Sequence, residues 1–161
     1  MSFVREHEHQ KTSHDQTLNR SAFQATAHCL TGCAIGEVVG MVIATALGWG
    51  NTASVAISVL LAFIFGYALT LGPILRANVP LGRAARLTLA SDTLSLTTME
   101  IVDNAFILIV PGAIDAGLGD ALFWWSLGVS LAIAFVAAFP VNRWLIARGR
   151  GHALVHELHA H

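Results

Sequence analysis

HCLTGCAIGEVVGM, residues 28–41, reads as the cytoplasmic end and first half of a membrane-spanning helix. Cys29, Cys33, Glu37 and Met41 recur every fourth residue, so on a helix they form one slowly drifting stripe. At about 1.5 Å of rise per residue the stripe covers roughly 18 Å of depth. Gly32, Gly36 and Gly40 repeat at the same spacing on the adjoining row, which lets another backbone come close. Two thiols, a carboxyl and a thioether can therefore face inward where a partner helix approaches. In a bilayer, that is a ligand set suited to a soft metal ion.

The rest of the chain carries the same signature. Its 161 residues are 55% hydrophobic and only 12% charged, with a mean hydropathy of +0.63. The charged fraction is about half that of a soluble domain. Four stretches, about 25–49, 52–71, 87–110 and 121–142, are long enough to cross roughly 30 Å of hydrocarbon. The expected fold is all-α: one polytopic domain of four transmembrane helices over about 25–148, between polar His-containing tails at 1–24 and 149–161. The formal net charge is −1, which offers nothing to nucleic acid, yet the charges are unevenly placed. All Lys and Arg lie in the first tail, the loop between spans two and three, or the C-terminal end. The turn near Gly50 and the loop from Gly112 to Asp120 hold none, and that loop carries Asp115 and Asp120. By the positive-inside rule both termini are cytoplasmic, in the inner membrane of a bacterial-type cell.

The first 24 residues lack the apolar run of a signal peptide. Their composition suggests a disordered polar tail, or, through His7, His9 and His14, a weak metal collector. Trp49-Gly50-Asn51 makes so short a turn that spans one and two must form a hairpin. Span two is almost wholly apolar and reads as lipid-facing support, with Tyr67 in an aromatic-belt position. Gly72-Pro73 should end it.

Span three, LTLASDTLSLTTMEIVDNAFILIV (87–110), is the second informative segment. At about 100° per residue, Asp92, Ser95, Met99 and Asp103 share a narrow arc, with Glu100 and then Asn104 to one side. Ionisable groups inside spans face the bundle interior or water and mark function by default. Ser and Thr of this span are adequately explained by interhelical hydrogen bonds. The acids are not. With Glu37 they number four, and no Lys or Arg within the spans can pair with them. Each must be protonated, reach water or coordinate a cation. Glu37 matches Met99 and Glu100 in depth, and Cys29 matches Asp92, so two stripes can line one path. Span four reads as packing, with Pro140 in its last turn and Arg143 snorkelling beyond. In the tail, His152, His156 and His159 fall on one helical face, at a spacing that suits a divalent metal.

At HCLTGC (28–33), MEIVDN (99–104) and FPVNRWLIARGRGH (139–152), the chain resembles a small bacterial family of four-helix membrane proteins of unknown function. The resemblance covers about residues 25–155 and supplies no mechanism, so the chemistry rests on the residues. They point to a transporter or channel for a transition-metal cation, copper or zinc, passive or proton-coupled. The expected ligands are His28, Cys29, Cys33, Glu37, Met41, Asp92, Met99, Glu100, Asp103 and Asn104. Three alternatives stay open: a membrane thiol oxidoreductase using Cys29 and Cys33, another cation or proton path, and a scaffold without a site. An i,i+4 disulfide would strain a regular helix. Besides lipid and the metal ion, the expected partner is a second copy of the chain, with the glycine row as a candidate contact.

Overall fold

The computed structural model describes residues 2–76 and 80–148, with side chains from Asp15 onward and some of those in 73–91 left aside. Among the described residues there are four α-helices: α1 (Ser2–Ala46), α2 (Asn51–Arg76), α3 (Leu81–Ile109) and α4 (Ala121–Ala147), with a 3-10 turn at Ala113–Asp115. Residues 15–46 of α1, Asn51–Gly72 of α2 and all of α4 are each long and apolar enough to cross a membrane. The backbone of α1 is helical from Ser2, so a disordered tail is not what residues 2–24 form. That stretch contains neither Gly nor Pro, so nothing in it breaks the hydrogen-bond ladder.

The glycine row decides how α1 and α2 pair. A side chain at Gly32 would overlap the backbone of Gly66, one at Gly36 that of Ala62, and one at Gly40 Ser58. The row is therefore occupied by α2 of the same chain and is not a surface for a second copy. The connection is tight because α1 ends in a Schellman motif. Gly48 takes φ +66°, its N–H reaches Thr45 O, and Trp49 N–H reaches Ala44 O at 2.9 Å. Only 11% of the apolar stretch of α2 is buried.

Helix α2 does not stop at Gly72-Pro73 but runs on to Arg76. Pro73 lacks the N–H that would bond the carbonyl of Leu69. His28 supplies the missing donor, its Nε2 lying 3.2 Å from Leu69 O. Tyr67, expected in an interfacial belt, instead bonds Thr93 Oγ1 at 2.9 Å and ties α2 to α3. Helix α4 likewise continues through Pro140. Beyond it, Arg143 does more than snorkel: Nε donates to Asn19 Oδ1 at 2.7 Å, and the guanidinium lies 3.5 Å from Asp15.

Helix α3 is two-faced. Asp92, Ser95, Leu96, Met99, Glu100 and Asp103 are buried, while Leu89, Leu94, Ile101, Leu108 and Ile109 are exposed. Its polar groups thus point into the bundle and its outer face is hydrocarbon. Helix α4 meets it with a row of five small or polar residues spaced four apart, Ser126, Ser130, Ala134, Ala138 and Asn142, all buried.

Candidate functional site

The buried faces of α1, α3 and α4 stack polar and apolar groups in layers along the bundle. Nearest the α1–α2 turn and the α3–α4 loop is a cavity of about 210 Å³. It runs from exposed Trp49, Asn51 and Asp115 down to buried Glu37, Glu100 and Asp103. Its walls are mostly apolar and include Met41, Val55, Val59, Ile107, Phe123 and Leu127. Across the mouth, Asn51 Nδ2 donates to Asp115 Oδ1 at 2.7 Å, joining the first hairpin to the second. The loop holds its shape through Asp120, which accepts from Gly117 N–H at 2.7 Å, and Trp124, whose Nε1–H reaches Leu118 O.

At the floor, Glu37 faces both Asp103 and Glu100. Asp103 accepts from the Ser130 hydroxyl of α4. Glu100 accepts weakly from Asn104 Nδ2, which is held mainly by the Glu100 carbonyl at 2.8 Å. Neither oxygen of Glu37, nor Oε1 of Glu100, receives a hydrogen bond from any described N–H or O–H; the Glu37 carboxyl lies instead within hydrogen-bonding reach of the Asp103 carboxyl, and Glu100 within reach of the Cys33 thiol. Glu37 is only 8% exposed. None of the described residues lining the cavity is Lys, Arg or His, so the buried carboxyls meet no basic group there.

Beneath the floor lies an apolar layer in which Cys29, Cys33, Leu96 and Met99 pack with Ala62, Ala134 and Ala138. The Cys33 thiol abuts Glu100, and Cys29 lies beside Ser95 and Asp92. Both thiols are free. A second polar layer follows. Asn142 Nδ2 donates to Thr26 Oγ1 and Ser95 Oγ, each at 2.9 Å, so three helices meet at one amide.

Of the pairs matched by depth, Glu37 meets Glu100 and Cys29 meets Asp92; Met99, matched to Glu37, packs instead in the thiol layer below, and Asp103 takes the place beside Glu37. Met41 stands higher, in the cavity wall, and Asn104 beside Glu100. His28 does not join them; it is exposed and serves Leu69. The C-terminal histidines lie outside the described residues, as do the side chains of His7, His9 and His14. Ser130, Asn142 and Thr26 were not singled out from the sequence. For Ser130 and Asn142 the signal was their four-residue spacing on α4, in a span that reads as packing because it is apolar with small residues; Thr26 lies on α1, outside that row. Among the described residues, no three His, Cys, Asp or Glu side chains converge closely enough to hold a metal ion.

These features define a class: an all-α protein with three membrane-length apolar helices, bundled with a fourth that buries its acids against them. The chain belongs to the family described as Domain of unknown function (DUF4396), which matches residues 18–151. No curated protein and no solved structure matches it.

Proposed function

We propose that this protein is a four-span protein of the bacterial inner membrane, both termini cytoplasmic, that carries a cation across the bilayer. The cargo is a transition-metal ion, copper or zinc. The observation that carries the proposal is the floor of the cavity. A buried Glu37, whose oxygens receive no described N–H or O–H and which faces the carboxyl of Asp103, stands beside two further acids, with no base among the cavity's described lining. Such a floor attracts positive charge and satisfies it poorly until a cation arrives. In the proposed topology the cavity opens outward, and its carboxyls are the first step of the path. The thiols and Met99 form the second, soft step, closed in this arrangement by the packing of Leu96 and the alanines. The carboxyls are a step for passing cargo and not a resident metal centre, in keeping with the lack of three converged ligands among the described residues.

Flux into proteoliposomes tests this. Glu100→Gln keeps the shape of the side chain and removes its charge, and it should slow Cu(I) or Zn(II) entry at least tenfold, about 1.4 kcal/mol in the barrier. Ile64→Ala, on the exposed face of α2, should leave entry unchanged. Equal flux in wild type and Glu100→Gln would sink the proposal.

A further inference from the structure

An inorganic ion has no use for the apolar part of this cavity. It needs oxygen or sulfur atoms around it, and Val55, Val59, Ile107, Phe123 and Leu127 supply neither. Walls of that kind favour hydrocarbon. The floor is also more specific than a diffuse negative charge. Three buried carboxyl oxygens there receive no described N–H or O–H, namely Oε1 and Oε2 of Glu37 and Oε1 of Glu100; beside them stand the Asp103 carboxyl and the Cys33 thiol. A primary ammonium group carries three N–H donors. A cavity walled in part by hydrocarbon and closed at its inner end by carboxyls that no described N–H or O–H satisfies has the chemistry of a site for an alkyl- or arylammonium ion.

We propose that the cavity binds a small protonated organic amine, its ammonium on Glu37 and Glu100 and its hydrocarbon against the apolar walls. The site uses the carboxyl floor of the transport proposal but does not require that anything cross the membrane. Size narrows the class further. At about 210 Å³ the cavity is smaller than those that enclose drug-sized ligands, roughly 300 Å³ and more, so the ligand is a monoamine with one ring or a short chain. Trp49 at the mouth adds an aromatic face that a cation meets on entry.

The test is equilibrium binding to the purified full-length protein in nanodiscs, followed by tryptophan fluorescence and calorimetry. Benzylamine as its hydrochloride at neutral pH is the probe. Benzyl alcohol supplies the same shape without the charge, and tetramethylammonium the charge without N–H donors. Saturable benzylamine binding is expected, with both comparison ligands at least about tenfold weaker. Glu37→Gln should weaken benzylamine at least about tenfold and leave the alcohol unaffected. The ligand comparison needs only the wild-type protein, so it decides even if a variant folds poorly. Equal binding of alcohol and amine, tetramethylammonium binding as well as benzylamine, or no saturable binding would overturn the proposal. Amine binding together with metal flux insensitive to Glu100→Gln would support this site and overturn the transport proposal. Glu100-dependent metal flux without amine binding would do the reverse.

Discussion

A carboxyl buried in the bundle beside another acid, with no N–H or O–H of the described residues donated to either oxygen, as at Glu37 beside Asp103, is a cost to the fold. A buried polar group left unsatisfied costs about 1–3 kcal/mol. Residues held at such a cost gather where function needs them. Glu37→Gln should therefore separate stability from function. The amide adds two N–H donors beside Asp103 and Glu100, which face Glu37, and it carries no charge. Unfolding in graded SDS should show a gain of about 1–2 kcal/mol, while cation movement and amine binding fall. A loss of stability would mean that Glu37 holds the bundle together and that the cavity floor is structural. Asn142 is its opposite, a buried amide whose Nδ2 donates to both Thr26 and Ser95. Both residues are polar and buried, and only the geometry of their partners tells them apart. Sequence periodicity could place Glu37 on an inner face, but it could not show that Asn142 finds these acceptors.

At the scale of the helices, the glycine row is the contact most open to a quantitative test. The i, i+4 spacing of Gly32, Gly36 and Gly40 announces a close helix–helix approach. It does not name the helix, because the next span and a second copy of the chain satisfy the same pattern. The short Gly48–Gly50 turn brings α2 there first, and Gly36 lies against the backbone of Ala62. Gly36→Val would force rigid backbone apart, and overpacking of this kind costs about 1–3 kcal/mol. The same unfolding measurement should show that loss, and thiol reagents should reach Cys33 faster as α1 and α2 separate. Gly128→Ala, which meets nothing within 4 Å, should be neutral or slightly stabilising. Equal effects at both positions would mean that the row does not set the packing. Helix ends were less legible than helix faces. Pro73 looked like a terminator because its cost is written in the local sequence. The compensation comes from His28, 41 residues away from Leu69, and contacts at that separation carry no local signal. The same holds for Ser130, whose role appears only once α3 brings Asp103 to it.

For the whole molecule, the proposed topology turns on α3 as a span. Its acids lower its average hydropathy, and it is not among the three helices apolar enough to cross by composition. Averages mislead for a helix with two unlike faces. Asp92, Glu100 and Asp103 are buried against α1 and α4, whereas Leu94, Ile101, Leu108 and Ile109 are exposed. Lipid would therefore meet hydrocarbon, which is what insertion requires of the outer face. The antiparallel contacts agree. His28 meets Leu69, and Arg143 meets Asn19, at one end. Asn51 meets Asp115 at the other. Arg20, Arg76, Arg143 and Arg148 all fall at the first end, and Asp115 and Asp120 at the second. With four spans, reporter fusions after Gln10, Arg76 and Arg148 should all read cytoplasmic, and one after Ala116 should read external. With three, the two termini must lie on opposite faces, so Gln10 and Arg148 would disagree. That result would leave α3 at the interface and its acids open to water. The buried carboxyls would then no longer need a cation, and the path proposed through them would fail with the topology.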